Sequence, residues 1–132
     1  MTPETEEHLR RAQEYLNKAS ALLDVVHFSD EAARAAYLSV FHAAQALISE
    51  RTGRIVKTHR GVRTAFARLS KDDPRLDRTF TRFLGRAYRR KEMVDYGVGQ
   101  HAVVQEADAR AMASEAARFV DRIAEILAKD PP

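Results

Sequence analysis

Ser29-Asp30-Glu31-Ala32-Ala33-Arg34-Ala35-Ala36-Tyr37-Leu38-Ser39-Val40-Phe41-His42-Ala43-Ala44-Gln45-Ala46-Leu47-Ile48 is the stretch that decides the fold class. Ala33, Ala36, Tyr37, Val40, Phe41, Ala44, Leu47 and Ile48 recur at helical steps and make one apolar face. Ser29 reads as the N-cap, and Asp30 and Glu31 suit the positive end of the helix dipole. Seven alanines between positions 32 and 46 leave little bulk on the other faces. Neighbouring helices can therefore approach from several sides, and this helix is expected at the centre of the domain. Gly53 is a natural residue to close it.

Three more long helices and a short one flank it. Thr2-Pro3-Glu4 opens the first, with threonine as cap and proline at the first helical position. Leu9, Ala12, Leu16, Ala19, Leu23 and Val26 form its inner face, and it should end near His27. A shorter helix is expected from His59 to Leu69, with Val62, Phe66 and Leu69 inward. Ser70-Lys71-Asp72-Asp73-Pro74 breaks the chain. The third long helix is expected from Arg75 to Val94, with Leu76, Phe80, Phe83, Leu84, Ala87 and Tyr88 inward. Gly97-Val98-Gly99-Gln100 reads as a loop. The last helix runs from about Gln105 to Ala128, burying Met112, Ala116, Phe119, Val120, Ile123 and Leu127. No strand pattern or repeat interrupts this series. The expected fold is all-α: one domain over 1–132, an antiparallel up-and-down four-helix bundle with a short extra helix.

Composition excludes several classes of function. The 132 residues include no cysteine, so disulfides, thiolate metal sites and cysteine nucleophiles are excluded. The five histidines, His8, His27, His42, His59 and His101, show no metal-ligand spacing, and no metal or cofactor is expected. No glycine-rich phosphate loop and no GxSxG are present. No apolar run reaches the roughly 20 residues of a membrane span. The acidic start Met1–Glu7 does not read as a signal peptide. A cytoplasmic location without membrane association is the expectation.

Charge is unevenly placed. Between Arg51 and Lys91 there are 14 Lys and Arg against three Asp, a net +11, while the rest of the chain is net −8. Arg75, Arg78, Arg82, Arg86, Arg89 and Arg90 fall at helical spacing in one band. Guanidiniums so close repel one another unless an anion sits nearby, and arginine grips phosphate bidentately. RNA would satisfy the band, and so would acids on a partner chain. Arg82, Arg86 and Arg89, with His59 at the start of the short basic helix, are the candidate RNA-binding residues. The band closes on Arg89-Arg90-Lys91-Glu92-Met93-Val94-Asp95-Tyr96-Gly97. There Tyr96 could bond a phosphate, and Asp95 could orient an arginine or pair with Arg90 or Lys91.

Four segments in order resemble small stand-alone proteins of the HEPN-domain family. Ala35–Leu47 is similar to that family's "AYYxxFHAAxALL" helix, and Thr58-His59-Arg60-Gly61-Val62 to its "HKGV". Asp95-Tyr96-Gly97 is similar to its "ADYG", and Ala116–Ile123 to its closing helix. The resemblance covers about residues 8–128. It implies an antiparallel helical bundle that forms a homodimer. It also implies a metal-independent endoribonuclease, the toxin of a pair whose antitoxin is a small MNT-type nucleotidyltransferase. The family's nuclease motif is an arginine, four to six intervening residues and then a histidine, contributed by both subunits. Arg90 takes the arginine position, and Asp95 stands where histidine is expected. The resemblance thus makes Arg90, Asp95 and Tyr96 the candidate catalytic residues. Tyr96 is also the nearest match to a tyrosine that some members have nucleotidylated by their partner.

An aspartate is ordinarily ionised and repels a phosphodiester, so it serves as a base only with a raised pKa. A proton donor would then come from His42, His59 or Tyr96. Three readings stand at this point: an RNA-binding toxin with ribonuclease activity, a non-catalytic interaction module that dimerises and binds a nucleotidyltransferase or other acidic partner, and a purely structural bundle.

Overall fold

The computed structural model describes residues 1–97 and 104–130. The loop expected at 97–100 therefore lies outside the described residues beyond Gly97, as does His101. Five helices make the fold: α1 (Pro3–Asp24), α2 (Ser29–Thr52), α3 (His59–Lys71), α4 (Arg78–Tyr96) and α5 (Glu106–Lys129). Among the described residues there is no strand.

Capping chemistry sets the helix limits. Thr2 accepts the Thr5 N–H (3.2 Å) at the start of α1. That helix ends at Asp24, short of the expected His27, because His27 adopts a left-handed φ of 57°. Phe28 N–H then bonds back to Leu22 O (2.8 Å) and reverses the chain. Phe28, not Ser29, is the cap residue of α2, with no side-chain cap bond. Asp30 instead accepts the Val104 N–H (2.6 Å), tying the start of α2 to the start of α5. Gly53 closes α2 with φ 70°. Thr58 caps α3 by accepting the Gly61 N–H (3.0 Å). Asp77 caps α4 by accepting the Thr79 N–H (2.8 Å), so Arg75 stands before the helix and not on it.

Long-range bonds give the directions. Thr5 Oγ1 donates to Glu50 Oε1 (3.1 Å), which makes α1 antiparallel to α2. Arg34, early in α2, meets Asp95, late in α4 (3.2 Å), so those two are also antiparallel. Asp30–Val104 at one end and Arg51–Asp130 (2.6 Å) at the other make α2 and α5 parallel. The bundle thus runs up, down, up, down through α1, α2, α4 and α5, with α3 crossing beside α2 and α4.

As its alanines imply, α2 lies at the centre and packs on all four other helices, while α4 and α5 scarcely touch. Ala32, Ala33, Ala36, Ala43, Ala44 and Ala46 are fully buried along α2, with Tyr37, Val40, Leu47 and Ile48. Phe66, Phe83, Leu84, Phe119 and Ile123 complete the main core. Removing one such large side chain typically costs about 2–5 kcal/mol.

Candidate nucleic-acid interface

The arginine band of α4 divides into parts with different partners. Arg75 lies off the helix and is bound on both guanidinium edges. Its Nε and Nη2 donate to Asp73 (2.9 and 2.8 Å), and Nη1 reaches Asp130 (3.3 Å). This pairing holds the Asp73 carboxyl down to about 2 and pushes the Arg75 guanidinium up. Arg75 is thus a structural clamp for the α3–α4 turn and leaves the band. Arg86 faces α5, where it donates to Glu115 (2.7 Å) and sits over the Phe83 ring. Arg82 and Arg89 are exposed and make no ion pair among the described residues. Arg90 is half-buried and likewise unpaired among them. Tyr96, on the last turn of α4, is 77% exposed.

Asp95 is engaged on both carboxylate oxygens. Lys91 Nζ lies 2.8 Å from Oδ2, and Arg34 Nε lies 3.2 Å from Oδ1. Burial would push the buried Lys91 ammonium toward neutrality, but its bond to Asp95 outweighs that and raises its pKa. In this arrangement each Asp95 oxygen faces a cation, which favours the ionised carboxylate. Of the partners open in the sequence, Lys91 is the one found, together with Arg34 of α2.

His59 lies on another side of α4. It is the first residue of α3 and its Nδ1 meets the Tyr37 hydroxyl (2.7 Å). Phe41 and Tyr88 pack against its ring at 4.9 and 5.3 Å between centroids. Burial, then Lys91 and Arg63, push its pKa down despite Glu92 and Asp95. Tyr37 is wholly buried, and burial raises its phenol well above the usual value, so it keeps its proton. Tyr88 donates to Glu92 on the next turn, and the Arg63 guanidinium lies 4.2 Å over the Tyr88 ring.

Helical geometry separates these groups. At about 100° per residue, Thr81, Tyr88 and Glu92 mark one edge of α4, and Ser70 of α3 bonds Thr81 there (3.1 Å). Arg86 and Arg90 mark the opposite edge, toward α5. Arg82 and Arg89 lie on the solvent arc between them. Within one chain, therefore, His59 is not brought beside Arg90.

His42 is placed elsewhere again. Its Nδ1 meets Gln45 Oε1 (2.7 Å), and its ring stacks with Tyr15 and His8 between α1 and α2. Burial lowers the pKa of both His42 and His8. Tyr37 and Tyr88, which the sequence marks only as members of inward apolar faces, and Arg63, Glu92 and Arg34, which it does not mark, are the further polar residues of this region. Tyr88 and Glu92, one helical turn apart, carried a usable signal; the others meet their partners only through the fold.

Among the described residues, no group of three or more His, Cys, Asp or Glu is placed to hold a metal ion. Nor is any helix among them long and apolar enough to cross a membrane. No curated protein matches this sequence. The family model described as the HEPN domain matches residues 5–129, which include every helix bar the first two residues of α1. The central Ala-rich helix, the Thr58–Val62 cap and the Asp95–Tyr96 helix end all fall within that match, and the chain belongs to the HEPN domain family.

Proposed function

We propose that this chain is an RNA-binding HEPN protein, the toxin of a toxin–antitoxin pair, and a metal-independent endoribonuclease that works as a homodimer. Its antitoxin in this reading is an MNT-type nucleotidyltransferase. The observation that carries the RNA reading is the cationic surface of α4: Arg82 and Arg89 on its solvent arc and Arg90 on its α5-facing edge have no acidic partner among the described residues, and the exposed Tyr96 lies on the last turn of the same helix. Like charges held together in this way are relieved by a phosphate backbone.

In this reading Arg82 and Arg89, with Arg86 once released from Glu115, hold successive phosphates, and Arg90 grips the scissile one. The ribose 2′-hydroxyl attacks phosphorus, the 5′-oxygen leaves with a proton, and a 2′,3′-cyclic phosphate remains. Asp95 acts through Lys91 and Arg34 by holding their charges at the end of α4, so it is a positioning residue. The exposed Tyr96 phenol lies where a partner enzyme could modify it.

The engagement of both Asp95 oxygens favours a second reading, a non-catalytic interaction module that uses the same arc. Incubating total RNA with purified protein in EDTA separates the two. Cleavage leaving cyclic phosphate ends, absent with Arg90→Ala, supports the ribonuclease. No cleavage by a folded protein, or equal cleavage by Arg90→Ala, removes it.

A further inference from the structure

The basic block of the sequence is not exhausted by α4. From Arg51 to Lys71 there are seven Lys and Arg and no Asp or Glu. Arg51 is engaged by Asp130 and Asp73. The other six make no ion pair among the described residues, where the neighbouring pairs use Arg34, Arg75, Arg86 and Lys91 instead.

Four of these six share one face of α3. Arg60, Arg63, Thr64, Ala67, Arg68 and Lys71 line a shallow groove of about 520 Å³. No acidic side chain lines it, and its only uncharged members are small. From Arg60 to Lys71 the face extends about 16 Å at 1.5 Å per residue, long enough for several consecutive phosphates.

Arg63 adds a second, independent sign. Its guanidinium is held against the Tyr88 ring, and its buried Nε has no hydrogen-bond partner among the described residues. A planar cation fixed by stacking is already ordered for a ligand at its outer Nη edge. The groove also offers no apolar anchor. Protein interfaces usually bury aromatic or aliphatic anchors at their centre, whereas a nucleic-acid backbone needs only a row of cations. Ser70–Thr81 joins α3 to the edge of α4 from which the solvent arc with Arg82 and Arg89 begins. The two cationic surfaces are therefore neighbours on one side of the molecule.

We propose that the α3 groove is a second phosphate-binding surface, on which an RNA strand held by α4 continues past the cleavage site. The proposal rests on the RNA reading above but does not depend on cleavage. Arg60, Arg68 and Lys71 contact the backbone, and Arg63 contributes a fixed cation.

The test is binding of a fluorescent 2′-O-methyl oligouridylate, which lacks the attacking hydroxyl and stays intact. Dissociation constants are read from anisotropy over a range of salt. Arg60→Gln, Arg68→Gln and Lys71→Gln together should weaken binding at least tenfold and lower the slope of log Kd against log salt by about 2, or about 0.7 for each phosphate no longer neutralised. Arg68→Gln alone should lower the slope by about 0.7, and circular dichroism should show both variants folded. Unchanged affinity and slope in the triple variant overturn the proposal, and if Arg90→Ala still abolishes cleavage the ribonuclease reading survives without it. Weakened binding by the triple variant of a protein that cleaves nothing supports the groove and removes the ribonuclease. Polyglutamate competing as well as the oligouridylate at equal charge overturns RNA as the occupant in favour of an acidic protein.

Discussion

Lys91 Nζ lies 2.8 Å from Asp95 Oδ2, one turn further along α4, and Arg34 of α2 holds the other carboxylate oxygen at 3.2 Å. Lys91 is buried, and its bond to this carboxylate outweighs the burial that would otherwise lower its pKa. Asp95→Asn should leave Lys91 without a counter-charge. The expected loss is about 2–4 kcal/mol in urea unfolding, and Asp95→Ala combined with Lys91→Met should recover part of it. A larger loss in the double variant than in Asp95→Ala would mean the pair is not coupled.

Gly61 stands against its own helix cap. A Cβ there would lie 2.6 Å from Thr58 Oγ1 and 2.8 Å from Val56 Cγ1. Gly61→Ala must displace the Thr58 side chain that accepts the Gly61 N–H, losing the cap as well as the fit. A destabilisation of about 1–3 kcal/mol, with α3 amides exchanging faster than those of α2, is the expected result of hydrogen exchange.

Asp73 is buried and receives Arg75 on both oxygens. Asp73→Ala should cost about 2 kcal/mol. The carboxyl's pKa is depressed from 3.8 to about 2, so its contribution is fully present above pH 3.8 and is lost as pH falls toward 2. The acid limb of the stability curve should flatten over that window in the variant.

His8, His42 and His59 all have pKa values depressed below 6.5 by burial. A depressed histidine makes the unfolded chain the better proton binder. Stability should therefore be full above pH 6.5 and fall as pH drops below it. The urea midpoint should be lower at pH 5.5 than at pH 7.5, and His42→Gln should reduce the difference. A midpoint independent of pH in the wild type would contradict the burial of these rings.

Much of the fold was legible because periodicity and capping are local. The Ala-rich stretch from 32 to 46 could only be a helix approached from several sides, and Thr2, Gly53 and the Ser70–Pro74 break mark limits that any nearby residue can read. Ser29 and Arg75 fail that local logic. Asp30 is drawn to the Val104 N–H across the bundle, leaving α2 to begin without a side-chain cap. Asp77 captures the start of α4, and Arg75 is left to the carboxylates of Asp73 and Asp130. The candidate site was legible only as residue types. Arginine spacing gave the band, but which of its members are neutralised depends on Asp73 in the preceding turn and on Glu115 and Asp130, which come from α5 and just beyond it. His59 finds Tyr37, and Asp95 finds Arg34, across chain separations that carry no periodic signal.

The placement of α2 also governs where this sequence is free to vary. A rod whose own alanines pack closely against four other helices tolerates little enlargement at those positions, because each added methylene presses on a neighbour. The outer faces of α3 and α4, whose charged side chains reach solvent, can change charge without disturbing that packing. The molecule amounts to a fixed axle carrying two exchangeable cationic rims.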